Sequence, residues 1–374
     1  MRIADVEVFA VACELKAPLQ WGNFLINRKG GVLVSVITDE GITGIGEAGF
    51  SVDFYPILKP IIENMLVPAI HGEDPTNIEK IWEKMYLTTH KWGRRGQETY
   101  ALSGVDIALW DILGKSCGQP LYRLLGGYRN RVPAYAAPSL KPAQAVAKDC
   151  QAAVERGFRS IKLRVGFDPE TDREIVCTAR RIVGDKIGLG VDANMAYDYR
   201  TALRMAEILA GEYGILWFEE PIRSRSLYEY VNLHAELNRT ADVPVSGGEC
   251  LFTRYEFVPV FENKAFDIVQ PDATGVGGIT ESRKISSMAS SHGVSFMPHI
   301  ACSSGTGIGL AANAHLLCAS DSAPMIEYDQ YDNSPLQTQL LKEPIRAVDG
   351  YVTVPDKPGL GVEIDPAALD RYRI

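Results

Sequence analysis

The chain has 374 residues, 46% of them apolar and 23% charged, and carries a net charge of −9. That balance excludes a disordered chain, a collagen-like repeat and a disulfide scaffold. A mildly acidic protein does not attract nucleic acid or anionic lipid over its whole surface, so an anionic substrate would need a local cation, either a metal ion or a Lys/Arg cluster.

No apolar run approaches the roughly 18 residues that cross a bilayer. Asp5 and Glu7 interrupt the first apolar stretch, which reads as a strand and not as an export signal. The seven cysteines are dispersed with no CxxC pair, as expected of reduced thiols in a cytoplasmic protein. The expected partner is a small molecule, with no nucleic acid and no membrane.

In chain order, residues 1–12 and 31–38 read as strands, Asp39-Glu40-Gly41 as a hairpin turn and 42–48 as a third strand. Helical periodicity follows over 54–70, 76–89 and 96–114. Strands followed by helices make residues 1–130 an α+β unit. Within it, residues 14–30 read as a long loop whose Trp21 and Phe24 would form a lid over a site and touch substrate. Gly44-Ile45-Gly46-Glu47-Ala48-Gly49 fits G-x-G-x-x-G, but no βαβ unit surrounds it, so it reads as a strand bulge and turn.

From Val132 a second rhythm begins. Strand-like runs fall at 132–137, 160–165, 187–192, 215–219, 243–247, 267–271, 294–298 and 325–328, with amphipathic stretches between most neighbours. Alternating strand and helix predicts a parallel sheet with right-handed crossovers, and eight units suffice to close a barrel. No clear eighth helix follows. The barrel is expected over residues 131–329, and 330–374 should pack back on the first unit.

In such a barrel the chemistry sits where strands end. The runs end in Lys162-Leu163-Arg164, Asp192-Ala193-Asn194, Glu219-Glu220, Glu249, Asp272 and His299, and the last run contains Glu327. A single carboxylate after an apolar run is usually a turn residue or helix cap, but capping does not produce so many ionisable ends in succession. Asp192, Glu219 and Glu249 come from three consecutive strands. Converging carboxylates tolerate each other only around a cation, and an all-oxygen set favours Mg²⁺, with Mn²⁺ second. Lys162 and Arg164, two apart on a strand, face the same way. Asp272 beside His299 would fix the ring tautomer and raise its basicity.

Lys162-Leu163-Arg164, Val191-Asp192-Ala193-Asn194, Phe218-Glu219-Glu220-Pro221, Gly247-Gly248-Glu249, Gln270-Pro271-Asp272, Met297-Pro298-His299 and Ile326-Glu327 together resemble the enolase superfamily. The His and Asp on the seventh and sixth strands resemble its mandelate racemase subgroup. The resemblance implies an α+β N-terminal capping domain on a modified TIM barrel, (β/α)7β, and one essential Mg²⁺ on Asp192, Glu219 and Glu249. It implies abstraction of a proton α to a carboxylate, with His299 and Asp272 as general acid/base and Glu327, if protonated, hydrogen-bonding the substrate carboxylate. Lys162 would stabilise the developing charge, and Asn194, beside Asp192, is a candidate substrate contact. Such barrels often assemble as homo-oligomers.

One departure matters. Members of the family commonly carry a second Lys, serving as a base, where this chain has Arg164. A guanidinium with a pKa above about 12 is a poor base near neutral pH, so Arg164 is expected to be a fixed cation and His299 the main base. The reading is then dehydration of an acid sugar, an aldonate or aldarate, to a 2-keto-3-deoxy product. A cycloisomerase on a sugar-acid lactone, a racemase or epimerase, and a catalytically silent carboxylate-binding barrel are the alternatives.

Overall fold

A computed structural model describes residues 1–21, 24–223, 226–300, 305–329 and 335–374, and only the backbone at seven positions between Lys16 and Leu25. β1 (Ile3–Trp21), β2 (Phe24–Thr38) and β3 (Thr43–Ala48) form an antiparallel sheet in that order. The expected loop at 14–30 is corrected by this sheet, because β1 and β2 continue as a hairpin and pair as far as Trp21 opposite Phe24. The register slips between Glu14 and Leu19, so that residues 15–18 face the single position 27. Pro18 falls in this bulge, where a missing N–H leaves no ladder bond unmade. The bulge breaks the alternation by which a strand is read from sequence. The side chains of Trp21 and Phe24 lie outside the described residues.

Helices follow: α1 (Tyr55–Ile61), which runs through a π-turn into α2 (Val67–Ile70), then α3 (Ile78–Thr89), α4 (Gln97–Ser116) and α5 (Leu121–Leu124). The expected bulge at 44–49 is also corrected, since β3 pairs with β2 without interruption from Thr43 to Ala48. Its glycines serve packing instead: a Cβ at Gly46 would stand 1.9 Å from the carbonyl oxygen of Gly104 on α4.

The eight anticipated runs are β4 (Arg131–Ala136), β5 (Ser160–Arg164), β6 (Gly188–Asp192), β7 (Trp217–Glu219), β8 (Val245–Gly247), β9 (Ile268–Val269), β10 (Ser295–Phe296) and β11 (Ile326–Tyr328). They are parallel in that order, and β11 returns to pair with β4. The β10–β11 seam is bridged by the Phe296 N–H donating to the Ser322 carbonyl at 3.0 Å. Among the described residues seven helices cross between the strands: α6 (Ala143–Glu155), α7 (Pro169–Val183), α8 (Tyr199–Tyr213), α9 (Leu227–Thr240), α10 (Thr253–Glu262), α11 (Gly278–His292) and α12 (Ile308–Ala319). This is the (β/α)7β barrel. Strands β5 to β8 are buried almost throughout, which is why they read as continuous apolar runs.

The tail carries α13 (Pro335–Gln339), a hairpin of β12 (Ala347–Val348) and β13 (Tyr351–Thr353), and α14 (Pro366–Tyr372). β13 lies antiparallel against the start of β4. Beyond it the chain meets the first unit, with the Leu360 N–H on Asp111 Oδ1 at 2.8 Å and the Ile374 N–H on the Ala10 carbonyl at 3.0 Å.

Buried polar contacts lock cap to barrel. Asp106 on α4 accepts from the Thr280 hydroxyl (2.6 Å) and N–H (3.0 Å). A Cβ at Gly278 would lie 2.1 Å from that same carboxylate, so the Gly275–Gly278 turn is a packing device. Glu47 on β3 accepts from Thr306 (2.5 Å) and from the Gly309 N–H (2.8 Å) at the start of α12, a favourable place for an anion. Lys29 on β2 pairs with Asp329, just past β11, at 2.5 Å. The six described cysteines are free, and Cys302 lies outside the described residues. Among the described residues no helix is long and apolar enough to cross a membrane.

Candidate active site

Parallel register sets the rim. Arg164 on β5 stands opposite Asp192 on β6, and Asp192 opposite Glu219 on β7. Lys162, two residues before Arg164, shares its face and is fully buried. Its ammonium lies 2.6 Å from Glu219 Oε1, 3.0 Å from Glu327 Oε1 and 3.5 Å from Asp192 Oδ2. Arg164 Nη1 donates to Asn194 Oδ1 at 2.7 Å and stands 3.3 Å from Asp192 Oδ2, while Nη2 is 4.0 Å from Glu327. Asn194 takes the left-handed conformation (φ 42°), which Asn tolerates well, and its own N–H returns to Asp192 Oδ1 at 2.8 Å. The structure therefore gives Asn194 a defined task in fixing both Arg164 and Asp192.

The second oxygen of Glu219 accepts from Trp217 Nε1 (3.1 Å) and Gln270 Nε2 (2.8 Å). Glu220 departs from the strand at φ 37° and is buried. One oxygen each from Glu220 and Glu249 and the Cys250 sulfur lie within 4.8 Å of one another. The expected trio is thus divided: Lys162 gathers Asp192 and Glu219, while Glu249 Oε2 faces His299 Nε2 at 3.6 Å.

His299 Nδ1 sits 3.1 Å from Asp272 Oδ2. The other oxygen of Asp272 accepts from the Thr274 N–H (2.9 Å), the Thr274 hydroxyl (2.9 Å) and Asn313 Nδ2 (3.1 Å). A carboxylate at Nδ1 places the proton there and turns Nε2 toward the mouth of the barrel. The ring of Phe50, from the cap, packs edge-on against the imidazole with centroids 5.3 Å apart.

Charge in the site is unbalanced. Six carboxylates (Asp192, Glu219, Glu220, Glu249, Asp272 and Glu327) face Lys162, Arg164 and His299. Burial, with the charges of Asp192, Glu327 and Glu249, pushes Glu219 up to about 7 against the pull of Lys162. Burial opposes the charged form of Lys162, but Glu219, Glu327 and Asp192 outweigh it and hold the ammonium well above its usual range. For His299 burial also opposes the charge, and Glu249, the Asp272 hydrogen bond and Glu327 raise it to about 9.

Glu327 stands between the same opposing influences. Burial favours its neutral form, yet Lys162, His299 and Arg164 hold it at about 2. Its carboxylate meets the Lys162 ammonium at 3.0 Å and accepts from the Ile300 N–H at 3.1 Å.

The site fits a hard divalent cation. Asp192 Oδ2 is buried and makes no hydrogen bond, although it faces two cations. The surplus of negative charge and the oxygen-only expected donors match Mg²⁺ chemistry. Sequence reasoning passed over Trp217, Gln270, Thr274 and Asn313, which hold the carboxylates in place, and over the buried Glu220. Their signals were present but weak: Trp217 lies two residues before Glu219, and Thr274 two after Asp272.

A closed (β/α)7β barrel beneath an α+β cap, with acidic groups, a buried Lys and a His–Asp couple at one mouth, defines a class of metal-assisted carbon-acid enzymes. Residues 3–126 match the model of the mandelate racemase/muconate lactonizing enzyme N-terminal domain, and residues 145–368 that of the enolase C-terminal domain-like family. The chain belongs to the enolase superfamily, in its mandelate racemase subgroup. It is 35% identical to D-galactarolactone cycloisomerase of Agrobacterium fabrum, over all of this chain and 99% of that one. It is 37% identical to arabinonate dehydratase of Saccharolobus solfataricus, over 91% of this chain and 90% of that one. A racemase from Streptomyces coelicolor, crystallised with bound magnesium, superposes with a TM-score of 0.90 at 29% identity, covering 100% of both chains.

Proposed function

We propose that this protein is a Mg²⁺-dependent hydro-lyase that removes the proton α to the carboxylate of an acid sugar and yields a 2-keto-3-deoxy acid. The observation that carries this reading is the asymmetry of the mouth, with a His–Asp couple on one side and a guanidinium on the other. His299, held through Nδ1 by Asp272, presents Nε2 to the mouth. Arg164, where a second base would stand, is a guanidinium tied to Asn194 and Asp192.

The α-proton of a carboxylate is very weakly acidic, because its removal places a second negative charge on the carboxylate. Asp192, Glu219 and Glu249 would hold Mg²⁺, which when bound supplies positive charge to that group. Lys162 and Arg164 add fixed positive charge on the β5 side of the mouth. His299 Nε2 takes the proton and Asp272 steadies the resulting imidazolium. The Cα–H electron pair, delocalised as an enediolate, returns to form the Cα–Cβ double bond as the β C–O bond breaks. His299 gives its proton to the departing hydroxyl, water leaves, and the enol product tautomerises to the 2-keto acid.

A second reading uses the same single base. In a cycloisomerase acting on a sugar-acid lactone the leaving group is the lactone oxygen, and the cycloisomerase relative matches this chain from end to end. Incubating aldonates, aldarates and their lactones with enzyme and Mg²⁺, and trapping 2-keto products with semicarbazide, tests both. A 2-keto-3-deoxy product from an open-chain acid, lost in His299→Asn, supports the dehydratase. Turnover confined to lactones would move the assignment to cycloisomerase.

A further inference from the structure

We propose that Lys29, a residue of the capping unit, is a positioning residue for the barrel's chemistry: its ammonium holds Asp329, and through Asp329 it keeps Glu327 in place against Lys162. The role rests on the reaction proposed above and adds to it a part that the cap supplies.

The sheet alone does not fix Glu327. β11 is three residues long, and among the described residues it has a strand partner on one side only, β4. On the other side the Glu327 carboxylate bonds the Ile300 N–H at 3.1 Å, and its second oxygen lies 3.0 Å from Lys162 Nζ. A short strand laddered along one edge can shift at its end unless something beyond it is pinned. Asp329 is pinned twice. Its carbonyl accepts from Gln337 Nε2 on α13 at 2.9 Å, and its carboxylate meets Lys29 Nζ at 2.5 Å. Two residues apart on an extended chain, Glu327 and Asp329 share a face about 6–7 Å apart, so a tether on one carries to the other.

Lys29 is itself anchored. It lies on β2 opposite Cys13 on β1 and is only 2% exposed. Gly31, two residues on, lets the root of the hairpin press onto the barrel: a Cβ there would stand 2.7 Å from the Thr306 methyl just before α12. Arg28, one residue earlier and on the opposite face, donates to Asp53 at 2.9 Å and braces the other side of the strand. A buried ion pair adds little stability over apolar side chains of the same shape. What it adds is direction, because the charged donor fixes where the Asp329 carboxylate must stand.

The Ile300 amide reads the position of Glu327 without reference to turnover. In the full-length protein with Mg²⁺, its hydrogen exchange is followed by NMR beside that of Phe296, whose N–H is bonded to the Ser322 carbonyl. In Lys29→Met, Ile300 exchange should accelerate by about tenfold or more relative to Phe296. Turnover should show kcat lower by about tenfold or more, with KM within about twofold. Lys29→Arg, which keeps the charge, should retain most of both. The double variant Lys29→Met/Asp329→Leu, an apolar pair, should recover the melting midpoint but neither the Ile300 protection nor kcat. That variant separates positioning from folding and carries the test where the single variant does not fold. Unchanged Ile300 exchange, an equal acceleration at Phe296, or wild-type kcat in the apolar pair would overturn the role. A wild-type protein that turns over no sugar acid would count against the proposed reaction, and the ratio of Ile300 to Phe296 exchange would then decide the placement alone.

Discussion

His299 Nδ1 lies 3.1 Å from Asp272 Oδ2, and the opposite oxygen of that carboxylate is held by Thr274 and Asn313. The imidazole is thus fixed in tautomer and direction by a group that cannot itself rotate. Replacing His299 with Asn should lower kcat by about 10²–10⁴-fold, the usual contribution of a positioned acid/base, and abolish exchange of the substrate α-proton with deuterated solvent. Asn313→Ala should produce a smaller loss in kcat, about tenfold, with KM nearly unchanged, because it loosens Asp272 without removing it. Steady-state kinetics on the two variants checks the order.

Arg164 is the departure that separates one base from two. Arg164→Lys introduces an amine whose neutral form is accessible. The variant should exchange the α-proton from both faces and form some of the opposite epimer, whereas the wild-type enzyme should exchange from one face only. Proton NMR of substrate recovered from deuterated buffer distinguishes the two. Two-faced exchange in the wild-type enzyme would return racemisation to the account.

Lys162 neutralises three carboxylates where water does not reach. Lys162→Met leaves Glu219, Glu327 and Asp192 facing one another without the ammonium. Breaking a buried ionic cluster by removing one partner costs about 3–5 kcal/mol. Urea unfolding of the metal-free variant should show a loss on this scale, and a loss below about 1 kcal/mol would mean that the cluster relaxes into solvent.

A stability switch lies away from the mouth. His315 on α12 is fully buried, accepts from the Tyr122 N–H at Nδ1 (3.0 Å) and meets the Leu360 carbonyl through Nε2 (3.1 Å). Nδ1 as acceptor requires the neutral ring. Burial lowers its pKa from 6.5 to about 4, against the small opposing effect of the Leu360 carbonyl. With the folded value below the free one, this contribution is present above about pH 6.5 and is lost as pH falls through about 4. The full effect is about 3 kcal/mol at about 1.36 per unit. Unfolding free energies measured from pH 7 to pH 4 should fall accordingly. His315→Asn should be less stable at pH 7 but flatter across that range.

The eight barrel strands were legible because strands buried on both faces read as short apolar runs, and because their ends carry the ionisable residues at one rim. Other features depend on information that no local pattern holds. The long β1–β2 hairpin was hidden by a bulge around Pro18, which breaks alternation while leaving pairing intact on either side. Glu220 looked like a bystander to Glu219, since its burial arises only from a left-handed turn just past the strand. The downward pull on the Glu327 pKa comes from Lys162 and Arg164 on β5 and from His299 just past β10, far apart in sequence. Lys29 and Asp329, 300 positions apart, illustrate the same limit: each is an ordinary surface residue until the cap closes on the barrel.

Crystals soaked with Mn²⁺ and measured at the manganese absorption edge test the central assignment most directly. A single anomalous peak bonded to oxygens of Asp192, Glu219 and Glu249 is the result expected here. A map with no peak among those three side chains, or with Lys162 still bridging Asp192 and Glu219 at saturating Mn²⁺, would contradict it.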